Sequence, residues 1–472
     1  MERLRTALPH LGAVSLGIIT AIAAVFSVPS VRGFVGLDAR LAALEERAQQ
    51  FVDASPFATF VDQSQGTSTI ADDVPEIAQK GRAIVANLDE MKIWTYEDGV
   101  AVKEYTILSK GKPGSAWETP PGVYDVKYMT ENHLSSIGGV FMPYSMQFFG
   151  NFFIHGWPYY PGGKQVPEGY SGGCIRLADA DAQEIYEFVD VGTAVVIRGG
   201  KEEVEETATT TPGSYRTLGS AKVPRLSAQS YLIADLDTGD IILEKDKDVV
   251  RPIASITKLM TAIVSLEVVN QFRETTISDE AEDTYGAQGG VRAGQTMMVR
   301  DLLYPLLLSS SNDAAEAIAE AVGRNYFMKS MNEKAESIGL SNTKFDDPSG
   351  LSANNVSTAH DLFELMRYIV RYKSFVLDVT TRKEQKVNDR VWNNISRFKN
   401  DEGYIGGKNG YTDEAIHTLT VALEMPLAEF ENRRVAFVTL GSQNKEEDMR
   451  ALIDYVNRYV YYAHDGEPDR DE

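Results

Sequence analysis

Two groups of residues in this chain have the types and spacing that acyl transfer requires. The first surrounds the only cysteine in 472 residues, Cys174, in the run Ser171-Gly172-Gly173-Cys174-Ile175-Arg176, with His155 nineteen residues upstream in Phe153-Ile154-His155-Gly156. A free cysteine is ordinarily a small buried apolar residue. Ser-Gly-Gly packs no core, however, and its glycines let backbone N–H groups come close to a substrate. Acyl transfer by a thiol needs a thiolate, a base, an orienter for the base and an oxyanion hole. Cys174 supplies the thiol. His155 is the candidate base and can also depress the thiol pKa as an ion-pair partner. The orienter is a backbone carbonyl of the Ser171–Gly173 turn or Ser171 itself, and the N–H groups of Gly173 and Cys174 are candidates for the oxyanion hole. Arg176 either binds a substrate carboxylate or pairs with an acidic neighbour.

The second group begins with Ser255-Ile256-Thr257-Lys258 at the start of an amphipathic helical pattern. Residues three apart face the same way one turn on, so Ser255 and Lys258 meet. A neutral lysine can take the serine proton if burial or a neighbouring cation lowers its pKa. Ser-x-x-Lys alone is a weak signal. Ser310-Ser311-Asn312 precedes a helical pattern at 313–322 and serves equally well as a cap. Lys408-Asn409-Gly410 opens a late strand pattern and serves equally well as a turn. Among the other histidines, His417 follows the Lys408 segment closely enough to edge the same cleft, whereas His360 on a helix and His133 in a loop read as structural. The sequence carries no metal constellation and no cofactor motif.

These residues need elements to hold them. From 82 to 197 the texture is β, with strand patterns at 83–88, 101–107 and 122–126, turn signals at Glu97-Asp98-Gly99 and Pro120-Pro121-Gly122, and one good helix at 178–189. Residues 200–225 carry Glu-Glu-Val-Glu-Glu, a threonine run and Pro212-Gly213 without periodicity, and read as a linker. A second domain at 226–463 opens on a hairpin (231–236 and 241–243) and continues with helices at 255–269, 299–308, 313–322, 326–338 and 358–372. Strands at 417–423 and 434–440 and a helix at 446–461 close it. Strands at both ends around a helical middle imply one sheet closed by the two ends of the domain, with helices against it.

Arg3 and Arg5 precede an uncharged apolar run at 11–28, eighteen residues, just enough to span a bilayer. With no good small-residue cleavage site after it, the run reads as an uncleaved single-pass anchor rather than a signal sequence. Residues 1–30 then form the anchor, with the remainder extracytoplasmic. Residues 31–79 read as a short stalk helix (Leu37, Leu41, Leu44, Ala48, Phe51) and a polar linker, and 464–472 as an acidic tail. A lone exported cysteine has no intramolecular disulfide partner, which favours a free thiol. The net charge of −22, from 68 acidic against 46 basic residues, argues against nucleic acid as a partner. Oligomeric state is not legible.

Residues 80–198 resemble the L,D-transpeptidase (YkuD-like) catalytic domain. The motifs that carry the resemblance are Thr119-Pro120-Pro121-Gly122, Met142-Pro143-Tyr144-Ser145-Met146-Gln147-Phe148-Phe149, Ile154-His155-Gly156 and Ser171-Gly172-Gly173-Cys174-Ile175-Arg176, specific in this order and spacing. The resemblance implies a β-sandwich-like domain whose cysteine attacks a peptidoglycan tetrapeptide stem, releases the terminal D-alanine and passes the acyl group to an amine of another stem. Many members have histidine where this chain has Gly172, but the base maps to His155.

Ser-x-x-Lys, Ser-x-Asn and Lys-x-Gly in that order are the signature of penicillin-binding proteins and serine β-lactamases. The segments Pro252-Ile253-Ala254-Ser255-Ile256-Thr257-Lys258, Leu308-Ser309-Ser310-Ser311-Asn312-Asp313 and Phe345-Asp346-Asp347-Pro348-Ser349-Gly350-Leu351 narrow the resemblance to the D-alanyl-D-alanine carboxypeptidases (peptidase family S11) over about 226–445. That resemblance implies an α+β domain in which Ser255 is the acylated nucleophile and Lys258 its base. It makes Ser310 and Asn312 proton carriers and holders of the substrate amide, and Lys408 a partner for the substrate carboxylate that also depresses Lys258. The N–H groups of Ser255 and Tyr411 form its oxyanion hole, and Gly410 leaves room along the strand edge. Asn409 stands where the family usually has threonine, so carboxylate binding or substrate choice is altered.

The expected protein is therefore multidomain: a membrane helix, a β-rich sandwich domain and an α+β penicillin-binding-protein-like domain. Its substrates are peptidoglycan stem peptides, with β-lactams as inhibitors. In the expected sequence of reactions the serine domain trims pentapeptide stems to the tetrapeptides that the cysteine domain uses, across a flexible linker that raises the local concentration of product. Two alternatives stand beside it: a serine domain that binds stems or penicillin without turnover, and a β-lactamase.

Overall fold

The computed structural model describes residues 80–199, 213–428 and 431–464. The expected anchor at 11–28, the stalk and linker at 31–79, the first half of the 200–225 linker and the tail after His464 lie outside the described residues. Among the described residues no helix is long and apolar enough to cross a membrane.

Residues 80–199 form two sheets. One has the order β3-β2-β1-β9-β4, from β1 (Arg82–Asn87), β2 (Lys92–Glu97), β3 (Val100–Thr106), β4 (Gly122–Asp125) and β9 (Ala194–Arg198); the other runs β5-β6-β7-β8, from β5 (Tyr128–Ser135), β6 (Val140–Phe149), β7 (Phe152–His155) and β8 (Ile175–Arg176). β1 is apolar at four successive positions because both its faces are covered. Ile84 and Ala86 join a cluster with Met146, Ile154 and Val195, while Ala83 and Val85 pack with Ala194 and Val196 on the other side. β1 and β9 pair in parallel, joining the two ends of the domain. Helix α1 (Asp179–Phe188) packs on β6 and β7 and opens with Asp179 and Asp181, where the helix dipole favours negative charge.

The second domain is built on one antiparallel sheet. It joins β11 (Ser230–Asp235) and β12 (Ile241–Lys245) to β13 (Tyr404–Thr412), β14 (Ile416–Met425) and β15 (Arg433–Ser442) in the order β12-β11-β15-β14-β13. Alternation along the strands divides its two faces. Ile233, Val421 and Phe437 meet the terminal helix Lys445–Tyr459, whereas Leu232, Ala422 and Val438 face the central helices. These include α2 (Thr257–Val268), α3 (Val299–Leu308), α4 (Asn312–Glu320), α5 (Arg324–Ser337) and α6 (Ala359–Tyr372). Every residue of α2 is buried, so it is the axis of the domain.

Two expectations change. The last residues of the expected final helix region and the start of the tail form a strand, Val460–His464, which pairs with β10 (Gly213–Thr217) inside the expected linker. Tyr215, Tyr461 and Tyr462 give these segments strand character that the threonine-rich run before them masks. The two domains are also packed directly against each other rather than only tethered. Trp117 stacks on Phe272 at 5.9 Å, and Asn151 N donates to Glu267 O at 3.1 Å.

Candidate active sites

β7 and β8 run parallel, with Ile154 opposite Ile175 and His155 opposite Arg176. His155 and Arg176 are therefore neighbours across this ladder, and Cys174 lies immediately before β8. The end of β7 is fixed by α1: Leu177 N donates to His155 O at 2.9 Å and Trp157 N to Asp179 Oδ1 at 2.7 Å. Gly156 leaves room for this contact, because a Cβ there would lie 2.4 Å from Asp179 Oδ1 and displace the carboxylate.

His155 is buried and its Nδ1 lies 2.5 Å from Gly156 O. That carbonyl accepts only from a protonated Nδ1, which leaves Nε2 of the neutral ring as the basic nitrogen. The orienter is thus the Gly156 carbonyl, not the Ser171–Gly173 turn. Ser171 instead ties the turn together, its hydroxyl donating to Cys174 O at 2.6 Å and accepting from Gly173 N at 3.0 Å. Gly173 N–H is therefore engaged within the turn and is not free to serve an oxyanion, a correction to the sequence expectation. Gly173 has φ +106, and a Cβ there would strike Phe152 at 2.1 Å. Gly172 is exposed with open space around it, so a side chain at this position has room.

Cys174 is half-buried, with Sγ 3.6 Å from Asn151 O. Burial pushes its thiol up to about 11, although the Phe153 backbone and the Arg176 charge pull the other way. Burial pushes His155 down to about 4, against the Gly156 hydrogen bond, with Arg176 and His133 adding to the fall. Both shifts, the thiol upward and the imidazole downward, favour the neutral form of each group and speak against a standing thiolate–imidazolium ion pair. Arg176 makes no ion pair among the described residues; its guanidinium lies 5.6 Å over the Trp157 ring and its Nε is buried without a hydrogen-bond partner. Of its two sequence readings, pairing with an acidic neighbour is the one this geometry disfavours. His133 lies on β5 rather than in a loop, with its ring stacked on Phe153 at 4.8 Å.

The serine site is assembled at the N-terminal end of α2. Ser255 sits in the 3-10 turn Ala254–Ile256, entered through Ala254 at φ +48. Lys258 is fully buried one turn on; its Nζ lies 2.9 Å from Ser255 Oγ, 2.7 Å from Asn312 Oδ1 and 2.5 Å from Ser349 O. Burial lowers its pKa to about 7, against the pull of Asp347, Asp313 and Glu316. Ser310, at φ +59, accepts from Lys408 Nζ at 2.8 Å, and Lys408 Nζ also donates to Asn409 O at 2.7 Å. Burial, then the charges of Lys258 and Lys445, hold Lys408 well below its ordinary value. Ser311, between the two motif residues, is the actual cap of α4 and accepts from Ala314 N.

β13 carries Lys408, Asn409, Gly410 and Tyr411 past the nucleophile. A Cβ at Gly410 would lie 2.7 Å from Ser255 N, so only glycine lets this strand run so close. Ser255, Ser310, Asn312, Asn409, Gly410 and Tyr411 all line one cavity of about 530 Å³. His417 lies beside that rim, its ring 4.8 Å from Tyr411 and its Nδ1 3.4 Å from Lys445 Nζ.

Residue types alone do not single out Ser349 or Asp347. Asp347 accepts from Ser349 N, Ser349 Oγ and Gly350 N at 2.7 Å each, from Ser352 N at 2.6 Å and from Asn355 Nδ2 at 2.7 Å. Burial works to raise this carboxyl, but those hydrogen bonds outweigh it and hold the pKa below its ordinary value. The resulting loop aims Ser349 O at Lys258. The signal available in the sequence was Asp-x-Ser-Gly, an aspartate placed to tie down its own turn. Among the described residues no group of three or more His, Cys, Asp or Glu is placed to hold a metal ion.

Comparison with known proteins finds a family for each of the two domains. The profile of the D-alanyl-D-alanine carboxypeptidases, peptidase family S11, matches residues 218–444, and that of the L,D-transpeptidase catalytic domain, YkuD, matches residues 81–197. The chain is 37% identical over 209 residues to a D-alanyl-D-alanine endopeptidase of Pseudomonas aeruginosa, covering 42% of this chain and 67% of that protein. It is 33% identical over 238 residues to a D-alanyl-D-alanine endopeptidase of Escherichia coli, covering 48% and 75%. It is 32% identical over 213 residues to a D-alanyl-D-alanine carboxypeptidase of Mycobacterium tuberculosis, covering 43% and 73%. With a buried Ser–Lys pair, a Lys408 strand beside it and Cys174 next to the His155–Arg176 ladder in the preceding domain, the chain belongs to the D-alanyl-D-alanine carboxypeptidase family S11 and carries an L,D-transpeptidase catalytic domain in front of it.

Proposed function

We propose that this chain remodels peptidoglycan by two acyl transfers in sequence. In the serine domain, Ser255 Oγ attacks the carbonyl between the last two D-alanines of a pentapeptide stem while Lys258 takes its proton. Terminal D-alanine leaves as the amine, protonated through the Lys258–Ser310 side of the cleft, and water then hydrolyses the ester to give a tetrapeptide. In the cysteine domain, Cys174 Sγ attacks the carbonyl before the remaining D-alanine as His155 takes the thiol proton, and D-alanine leaves. An amine of a second stem then displaces the thiolate, forming the cross-link. Arg176, over Trp157 and without an ion-pair partner among the described residues, is a partner for a stem carboxylate.

The observation that carries the reading is Lys258, buried, 2.9 Å from Ser255 Oγ and held at about 7, where a neutral amine is available as a base. This favours turnover over a serine domain that only binds stems. Covalent labelling with a fluorescent penicillin tests it: Ser255 should be acylated, and purified protein should release D-alanine from pentapeptide. A chain that is neither labelled nor active on pentapeptide is a binding module; one that rapidly releases hydrolysed penicillin is a β-lactamase.

A second reading of the serine site comes from two of the relatives, which are named endopeptidases. Cutting a D-alanyl cross-link uses the same nucleophile and base on a longer leaving group. Release of monomers from a cross-linked stem dimer, rather than of D-alanine from pentapeptide, distinguishes the two.

The apolar run at 11–28 behind Arg3 and Arg5 supports a single-pass anchor in the cell membrane with both domains extracytoplasmic. Packed domains bring both sites into one body, which supports sequential use of one stem more strongly than a flexible linker would.

A further inference from the structure

The boundary between the domains contains a buried charge cluster that neither nucleophile uses directly. Glu267, near the C-terminal end of α2, is fully buried together with Lys334 and Lys373. Its carboxylate lies 3.0 Å from Lys334 Nζ and 3.4 Å from Lys373 Nζ. Both lysines reach across the boundary: Lys334 Nζ donates to Tyr124 OH at 3.0 Å, and Lys373 Nζ to Glu118 O at 2.9 Å. Taking three charges out of water costs stability that their mutual attraction barely offsets, so stability alone gives little reason for the cluster.

What the cluster touches suggests its purpose. Glu118 is followed by Thr119, whose hydroxyl donates to Gly173 O at 2.8 Å, one residue before Cys174. On the other side, Glu267 O accepts from Asn151 N at 3.1 Å, and Asn151 O lies under Cys174 Sγ at 3.6 Å. Gly150, at φ +48, lets this tip approach: a Cβ would lie 2.6 Å from Glu267 O. The contacts close a ring from Cys174 through Asn151, Glu267, Lys373, Glu118, Thr119 and Gly173 back to Cys174. Two of its members belong to the serine domain.

We propose that Glu267 and Lys373 are positioning residues for the cysteine site: the Glu267 backbone carbonyl holds the Gly150–Asn151 tip, the Glu267 carboxylate holds Lys373 against the Glu118–Thr119 segment, and the two together keep Cys174 in place for acyl transfer. The proposal rests on Cys174 being the acyl-transfer nucleophile. It makes the serine domain a structural part of the cysteine site, with α2 carrying Ser255 before its first turn and the cysteine clamp at its last. The twelve-residue helix spans about 18 Å, so the two sites are joined through it without sharing a cleft.

The test uses the full chain with Lys373→Met, and with the triple replacement Glu267→Leu, Lys334→Met and Lys373→Met. Exchanging a whole buried charge cluster for apolar groups preserves folding better than breaking it. Three rates are read: penicillin acylation of Ser255, cross-linking of tetrapeptides, and alkylation of Cys174, the chain's only thiol, by iodoacetamide. The expected result is parental Ser255 acylation, a fall of about 10- to 100-fold in cross-linking kcat with KM little changed, and alkylation several-fold faster as the site loosens. If Lys373→Met does not fold, the triple variant decides. Parental kcat and alkylation in the triple variant overturn the proposal, as does a loss of Ser255 acylation that parallels the loss of cross-linking. If the parental chain forms no cross-links, the reading of Cys174 fails by itself, and the alkylation rates still decide whether the clamp holds the thiol.

Discussion

Lys258 Nζ lies 2.5 Å from the carbonyl oxygen of Ser349, an acceptor that can only be met by an N–H. Asn312 Oδ1 at 2.7 Å is a second such acceptor. A neutral amine has two N–H groups and one lone pair. With both N–H groups so engaged, the lone pair is left for the Ser255 hydroxyl at 2.9 Å. In the neutral amine, the neighbours of Lys258 therefore select the direction of its basic electrons, while burial lowers its pKa.

The first consequence is a pH profile. The Lys258 pKa is lowered from 10.5 to about 7, so the base is protonated and inactive below that value and free above it. Acylation of Ser255 by penicillin should rise with pH through a midpoint near about 7 and then level off. Lys258→Met should slow acylation by about 100- to 10,000-fold at the plateau. A rate independent of pH between about 5 and 9 would contradict this assignment of the base.

Asp347 organises the Ser349 carbonyl without touching substrate. Asp347→Ala leaves several buried N–H and O–H donors unpaired, which should lower stability by at least about 2 kcal/mol. It should also slow Ser255 acylation, because Ser349 O is no longer aimed at Lys258. Denaturant unfolding and penicillin labelling measure the two effects, and Asp347→Asn, which retains one acceptor oxygen, should recover part of both.

The cysteine site makes the opposite use of burial. Cys174 is pushed up to about 11, so at pH 8 the native thiol is almost wholly protonated. Iodoacetamide should alkylate the native chain about 100-fold more slowly than the urea-unfolded chain, whose thiol titrates in the ordinary range. Equal rates would show that the thiolate is already present at rest. His155→Ala should abolish cross-linking while leaving Ser255 acylation intact, because the two bases belong to different sites.

Asn409 lies on β13 and lines the cavity with Ser255 and Gly410. Asn409→Thr restores the hydroxyl usual in the family and should lower KM for a D-alanyl-D-alanine substrate several-fold with kcat nearly unchanged, the signature of improved carboxylate binding. Steady-state kinetics on pentapeptide measure it, and an unchanged KM would mean that Asn409 already reaches the carboxylate.

Much of this architecture was legible because local patterns agreed with the fold. The run Leu232-Ile233-Ala234 and the strands around Val421 and Phe437 alternate between two apolar environments, and the hairpin that begins the domain is marked by Asp-Thr-Gly-Asp. Ser255 and Lys258 were legible because helix periodicity alone brings them together. Long-range choices were not. That Gly156 rather than the Ser171 turn orients His155, and that Ser171 Oγ occupies Gly173 N–H, depends on how two strands and a turn meet in space. The strand Val460–His464 was hidden because its partner, Gly213–Thr217, lies about 245 residues away beyond an acidic, threonine-rich stretch. The Glu267–Lys334–Lys373 cluster was invisible for the same reason, since Glu267 and Lys334 read alone as solvated charges on helices and Lys373 as one just past a helix end.

Whether the serine domain prepares the substrate of the cysteine domain is decided by the cross-link yield of the Ser255→Ala chain on two substrates. This variant should form cross-links from tetrapeptide stems at the parental rate and almost none from pentapeptide stems, while Cys174→Ala converts pentapeptide to tetrapeptide and stops there. Cross-linking of pentapeptide by Ser255→Ala at the parental yield would show that the two sites do not work in sequence.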